Sequence, residues 1–197
     1  MPPIAYPLQL SFKIIAIAPQ ISVTDAAGRL LLYVKQKAFR LKEKVTVFAD
    51  EAQTRPLYSI AADRIIDFAA QYDITTAAGG QLGAVKRRGV RSIWRAHYDV
   101  LRSGTAVLTV REENPWIKVG DHFLGRLPLI GIFSGYVFNP AYLVSRPDDT
   151  VVLRVQKRPA LWEGRYEVTK QAELPSGEEE LALLGVLMML LLERTRG

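Results

Sequence analysis

The chain has 197 residues, of which 49% are hydrophobic and 23% are charged, so it can form a globular core and is not a disordered chain. It contains no cysteine, which excludes disulfides, thiolate metal sites and a cysteine nucleophile and is typical of a cytoplasmic protein. The two histidines lack the spacing of zinc ligands, and no phosphate-binding or dinucleotide-binding glycine motif occurs, so we expect neither a metal nor a cofactor. The formal net charge is +6, and the basic excess lies in residues 1–118.

Short strands separated by turn residues are predicted along the first half of the chain. Residues 8–18 are apolar but are interrupted by Lys13, and they lack the basic start and the cleavage site of a signal peptide, so we interpret them as a strand. Turn residues between short apolar runs then predict three hairpins. Their strands are residues 21–24 with 30–37, 45–50 with 57–62, and 72–76 with 81–87.

Residues 91–101 show the clearest alternation of apolar and polar side chains. Trp94, Tyr98 and Val100 alternate with Arg95 and Asp99, which predicts a strand with one buried face. The remaining predicted strands are residues 105–111, 142–145, 151–156 and 165–170.

Residues 114–140 break this rhythm with three prolines and four glycines. We predict an irregular insertion or a cap over one end of the fold. The alternative is that the apolar segment 123–138 contacts a membrane surface. No low-complexity linker divides the chain, so residues 1–197 are predicted to form a single domain.

The C-terminal segment is the most informative part of the sequence. Ser176 and Glu179 have the spacing of a capping box, and glutamates at the start and arginines at the end match the helix dipole, which predicts a helix over residues 177–194. Its central run, LALLGVLMMLLL, has no polar face and is shorter than the roughly 20 residues that cross a bilayer. We therefore expect no transmembrane span and a buried central helix enclosed by a closed β-sheet.

Four segments and this closing apolar helix resemble the LURP-one-related family, whose fold is shared with the Tubby C-terminal domain and the phospholipid scramblases. The segments are YVKQK (33–37), LYSI (57–60), GAVKR (83–87) and RSIWRA (91–96). The resemblance implies a mainly β, Tubby-like fold, a closed antiparallel barrel of about twelve strands around a central C-terminal helix. It also implies a binding role, since Tubby domains are similar in fold and bind phosphoinositides through basic residues. The acylated cysteine cluster of scramblases is absent from this chain.

Two basic segments are candidates for binding an anion such as a phospholipid headgroup. The first contains Lys86, Arg87, Arg88, Arg91 and Arg95, followed by Arg102, and the second contains Lys35, Lys37, Arg40, Lys42 and Lys44. The alternative is that these side chains are solvated outer-face residues that protect strand edges. Nucleic acid is not the expected partner, because aromatic residues on the inner face of a barrel are more often core residues than base-stacking residues.

Three functional hypotheses follow. The first is a non-enzymatic module, cytoplasmic and peripheral to the membrane, that binds anionic phospholipid headgroups or a protein partner. The alternative is a protein-interaction or structural scaffold domain with no small-molecule ligand, in which the basic residues only maintain solubility. The third is a hydrolase that uses His97 and Asp99, which share one face of a predicted strand, although no nucleophile motif accompanies them.

Overall fold

The computed structural model describes residues 4–13, 20–35, 44–63, 71–88, 97–113, 140–159 and 163–194. These residues form twelve strands and a C-terminal helix. The strands are β1 (Leu8–Lys13), β2 (Gln20–Thr24), β3 (Leu30–Lys35), β4 (Val45–Phe48), β5 (Pro56–Ala62), β6 (Gln71–Thr76), β7 (Gln81–Arg87), β8 (His97–Arg102), β9 (Thr105–Glu112), β10 (Ala141–Ser145), β11 (Val151–Arg158) and β12 (Glu163–Lys170), and the helix is α1 (Ser176–Arg194).

The strands close into one antiparallel barrel. Each strand pairs with the next in the chain, and β1 closes the ring by pairing with β12, so that Leu8 lies opposite Val168. Apolar residues alternate with polar ones along the strands because side chains point in turn into and out of the barrel. In β2, for example, Ile21 and Val23 are buried. The predicted barrel around a central helix is therefore confirmed.

Helix α1 fills the barrel. Every side chain from Leu181 to Leu192 is at most 7% exposed, and Gly185 within this run has no side chain. The helix comes close to the barrel wall at two glycines. A Cβ atom added to Gly185 would lie 2.8 Å from Val100 Cγ2, and one added to Gly83 on β7 would lie 2.9 Å from Leu181 Cδ1. Both distances are too short for real Cβ contacts, so small residues are required where α1 meets β7 and β8.

The predicted capping box needs correction. The helix begins at Ser176, and the backbone N–H groups of Glu178 and Glu179 both donate to the carbonyl of Pro175 at 2.9 Å. Pro175 therefore occupies the N-cap position that we assigned to Ser176. The Glu179 carboxylate lies 3.5 Å from Lys170 Nζ, so a residue of β12 is its charge partner. The chain turns sharply from β12 into the barrel. The residue types around Ser176 do not indicate where that turn occurs.

Several strand boundaries also differ from prediction. Strand β4 ends at Phe48, earlier than predicted, whereas β9, β11 and β12 are longer than predicted. The predicted strand 30–37 is described as far as Lys35, and residues 36 and 37 lie outside the described residues. Three stretches of predicted structure lie outside the described residues, namely 14–18, 91–96 and 114–139. They include the start of the predicted 91–101 strand and almost all of the predicted insertion or cap at 114–140.

The two ends of the barrel differ in their connections. At the end where α1 begins, which we call the turn end, short turns link β2 to β3, β4 to β5, β6 to β7, β8 to β9 and β10 to β11. At the opposite end, which we call the connection end, the chain passes from β1 to β2, β3 to β4, β5 to β6, β7 to β8, β9 to β10 and β11 to β12. Both predicted basic segments contain such a connection, so the topology brings the last residues of β3 and β7 to the same end.

Candidate functional site

The first predicted basic segment is split by the alternation of β7. Arg87 lies directly opposite Tyr98, which is fully buried and faces the interior, so Arg87 is on the inner face of the sheet. Lys86 lies opposite Asp99 on the outer face. Arg88 Nε is 2.7 Å from Asp99 Oδ2, and this hydrogen bond raises the pKa of Arg88 above its ordinary value. The three consecutive cations therefore do not form one patch, because Arg87 is on the inner face and Arg88 is paired with Asp99.

Asp99 is also the residue that the hydrolase hypothesis requires. Its Oδ2 atom accepts a hydrogen bond from Arg88, and its Oδ1 atom lies 3.4 Å from the hydroxyl of Thr109. His97 and Asp99 do share the outer face of β8. Because the carboxylate is held by a guanidinium, its environment is that of a structural ion pair and not of a group that orients a catalytic histidine.

The second basic segment has a different environment. Lys35 is exposed at the end of β3, and the ladder places it opposite Gln20 of β2, which lies opposite Lys13 of β1. Neighbouring strands are about 4.8 Å apart, so Lys13 and Lys35 are about 10 Å apart at the backbone. Lys44, which is also exposed, directly precedes β4. We call Lys13, Lys35 and Lys44 the lysine row.

In the ladder, Lys13 lies opposite Glu163 of β12, but the strands of the lysine row themselves carry no carboxylate. None of the residues of β1, β2, β3 and β4 is acidic. Within the described part of the chain, the three lysines form no ion pair. Three like charges at adjacent strand ends repel one another and attract an anion from solution.

A depression opens beside the lysine row, where the barrel is least tightly paired. Only Tyr33 and Phe48 bridge β3 and β4, whereas each of the other eleven seams between described strands holds at least four residue pairs. The depression, which we call the β3–β4 cleft, has a volume of about 170 Å³. Its polar lining consists of Lys35, Lys44, Thr46 and Gln53, and its apolar lining of Val34, Val45 and Phe48.

Basic residues continue around the connection end on the other side of β1. Arg158 of β11 and Arg165 of β12 lie opposite each other, and Arg165 lies opposite Ser11 of β1. Arg158 binds Glu167 at 2.5 Å, and this hydrogen bond lowers the pKa of the Glu167 carboxyl below its ordinary value. Basic residues thus extend from β11 through β1 to β4, with Glu163 and Glu167 of β12 among them.

At the turn end, by contrast, carboxylates are paired with arginines. Its carboxylates are engaged locally, as in Asp25 with Arg29 at 2.8 Å and Glu178 with Arg146 at 2.8 Å. Burial acts to raise the pKa of Asp25, but hydrogen bonds from Arg29 and Ala27 outweigh it and hold that pKa below the ordinary value. Arg102, a further predicted candidate, also lies at the turn end, where it donates to the carbonyl of Gly177 at 2.5 Å. The lysine row lies at the connection end.

Of the predicted basic candidates, six are described, and two of these, Lys35 and Lys44, belong to the lysine row and the cleft. The other four are Lys86, Arg87, Arg88 and Arg102. Five others, Lys37, Arg40, Lys42, Arg91 and Arg95, lie outside the described residues. The sequence reading missed Lys13, Thr46 and Gln53. Lys13 was visible as the cation that interrupts an apolar strand, but its position beside Lys35 depends on the pairing of β1, β2 and β3.

Two further properties bear on function. Within the described ranges, no three His, Asp or Glu side chains gather as metal ligands would. No helix formed by the described residues combines the length and the apolar character needed to cross a bilayer.

Comparison with known proteins places this barrel in a family. Among solved structures, an X-ray structure of a protein from Arabidopsis thaliana is similar in fold, with a TM-score of 0.52 and 17% identity, covering 98% of this chain and 93% of that one. No curated protein matches the sequence. A sequence model described as LURP-one-related matches residues 30–171, well over half of the chain. The chain therefore belongs to the LURP-one-related family.

Proposed function

We propose that this protein is a non-enzymatic module that binds anionic phospholipid headgroups at the cytoplasmic surface of a membrane. The observation that carries the proposal is the lysine row, which lies beside an open cleft and has no acidic residue on its own strands. Family membership and a barrel interior filled by α1 support a binding role over a catalytic one.

The expected strength follows from the charges. A lysine close to an anionic lipid surface contributes about 1 kcal/mol, and the interaction falls off within a screening length of about 8 Å at physiological salt. The lysine row and the arginines of β11 and β12 lie at one end of the barrel, so they can face a flat membrane together. We expect peripheral, reversible and salt-dependent association.

The test is co-sedimentation with vesicles of phosphatidylcholine that contain an acidic lipid. Wild-type protein is expected to sediment at low ionic strength, about 0.01 M, and to be released near 1 M, where the screening length falls from about 30 Å to about 3 Å. Absence of binding to acidic vesicles at the lower ionic strength would contradict the proposal.

Two variants with the same change of net charge locate the binding surface. Lys35→Gln with Lys44→Gln removes two cations of the lysine row and is expected to weaken binding by about 2 kcal/mol, roughly thirtyfold. Lys86→Gln with Arg88→Gln removes two cations on the outer face beside Asp99, which already binds Arg88. This control is expected to bind within a few-fold of wild type. Equal losses in the two variants would mean that only overall charge matters.

A protein-interaction role is the second candidate, and the single bridging pair between β3 and β4 favours it. Strands that are not paired with each other present backbone groups to which an extended peptide can add. Capture of one protein partner that survives Lys35→Gln with Lys44→Gln, together with no vesicle binding by wild type, would support this role in place of lipid binding.

A further inference from the structure

The β3–β4 cleft differs from the charged surface around it because it is a depression with both basic and apolar residues in its lining. Its volume of about 170 Å³ is several times what a single water molecule needs. It is therefore large enough to hold one compact polar group.

The groups that line the cleft are matched to one kind of ligand. Lys35 and Lys44 supply two ammonium groups, which can only donate hydrogen bonds, and the Thr46 hydroxyl and the Gln53 amide can donate as well. Among the described residues, no carboxylate lines the cleft. Phe48, Val34 and Val45 form its apolar side.

A phosphate monoester satisfies this set of donors better than a diester does. It carries about −1.5 to −2 charges at pH 7 and offers three acceptor oxygens, whereas a diester carries one charge. Two ammonium groups on opposite sides of the seam can neutralise both charges of the monoester, and the hydroxyl can take the remaining oxygen.

We propose that the β3–β4 cleft is a discrete site for one phosphate monoester, held between Lys35 and Lys44. This inference rests on the proposed function, since it specifies which acidic headgroups the module selects. The same chemistry occurs in a lipid headgroup and in a soluble phosphate ester, and the experiment separates these two sources.

The first arm compares vesicles that contain phosphatidic acid, a monoester, with vesicles that contain phosphatidylglycerol, a diester, at matched surface charge. Wild-type protein is expected to bind the monoester vesicles about fivefold more tightly. The preference should disappear in Lys35→Gln with Lys44→Gln and in Thr46→Val with Lys44→Gln. It should persist in Lys86→Gln with Arg88→Gln. Thermal unfolding of each variant checks that the barrel is intact.

The second arm titrates glycerol 3-phosphate into the protein without vesicles and follows backbone amide signals by NMR. Saturable shifts are expected at Lys35, Lys44 and Thr46 and not at Lys86. Glycerol 3-phosphate should also reduce binding to monoester vesicles.

The outcomes distinguish the two claims. Equal binding to both kinds of vesicle with no saturable shift around the cleft would overturn the discrete site and leave the membrane-binding proposal standing. Saturable shifts around the cleft without binding to any vesicle would overturn the membrane-binding proposal and identify the ligand as a soluble phosphate ester.

Discussion

The hydroxyl of Tyr98 on β8 donates a hydrogen bond of 2.5 Å to the Glu193 carboxylate in the last turn of α1. At the other end of the helix, Tyr58 on β5 donates to Glu180. A carboxylate near a helix C-terminus is opposed by the helix dipole, so the bond from Tyr98 offsets an unfavourable placement. The wall of the barrel thus holds both ends of a helix whose middle makes only apolar contacts.

Removal of the Tyr98 hydroxyl should therefore destabilise the protein. Tyr98→Phe is expected to lower the free energy of unfolding by about 1.5–3 kcal/mol, because it removes a hydrogen bond to a charged group at a buried site. Chemical denaturation measures the change. Combining Tyr98→Phe with Glu193→Gln should lower the free energy of unfolding by less than the sum of the single changes, and strict additivity would show that the bond does not contribute.

Alkaline pH should destabilise the fold through the same tyrosines. Burial, followed by the hydrogen bond and charge of Glu193, raises the pKa of Tyr98 above its ordinary value, and burial with Glu180 raises that of Tyr58. Both hydroxyls stay protonated in the folded barrel, whereas the unfolded chain ionises near pH 10. The stability they contribute is complete below about pH 10 and is lost as the pH rises above it.

Denaturation at a series of alkaline pH values checks this expectation. The free energy of unfolding of wild type should fall steeply above about pH 10, and the double variant Tyr58→Phe with Tyr98→Phe should show a shallower fall from a lower starting value. Identical slopes in the two proteins would contradict the assignment.

The glycine contact between α1 and β8 predicts a specific rescue. Gly185→Ala introduces a Cβ atom 2.8 Å from Val100 Cγ2, so we expect a loss of about 1–3 kcal/mol from overpacking, although alanine is the better helix former. Val100→Ala removes the obstructing methyl groups. The combination should be less destabilised than the sum of the two changes by about 1 kcal/mol in thermal or chemical unfolding. A stabilising effect of Gly185→Ala alone would show that the helix does not press against β8.

Much of the fold is readable from local sequence because the local signals agree with the global packing. The apolar run 181–192 has no polar face, so burial was its only arrangement in water, and the alternation around Tyr98 and Val100 reports which face of β8 is inside. The helix start was misplaced by one residue, because Pro175 lies where the chain turns from β12 into the barrel and the capping box is only a local pattern.

The candidate site was less readable because it depends on which strands are neighbours. Lys86, Arg87 and Arg88 are adjacent in sequence, but the alternation of β7 separates Arg87 from the other two, and Asp99 of the neighbouring strand binds Arg88. Conversely, Lys13 and Lys35 are distant in sequence and become neighbours only through the pairing of β1, β2 and β3. Sequence reasoning finds runs of charge, whereas strand register decides which charges share a face.

The orientation of the barrel on a membrane is the most direct test of the proposed function, and the lack of cysteine makes it simple to measure. An environment-sensitive fluorophore would be attached to a single cysteine, either Gln20→Cys between Lys13 and Lys35 or Ala78→Cys in an exposed turn at the turn end. On addition of acidic vesicles, we predict a blue shift of emission for the label at position 20 and no change for the label at position 78. Emission that is unchanged at both positions, or that shifts only at position 78, would contradict the account.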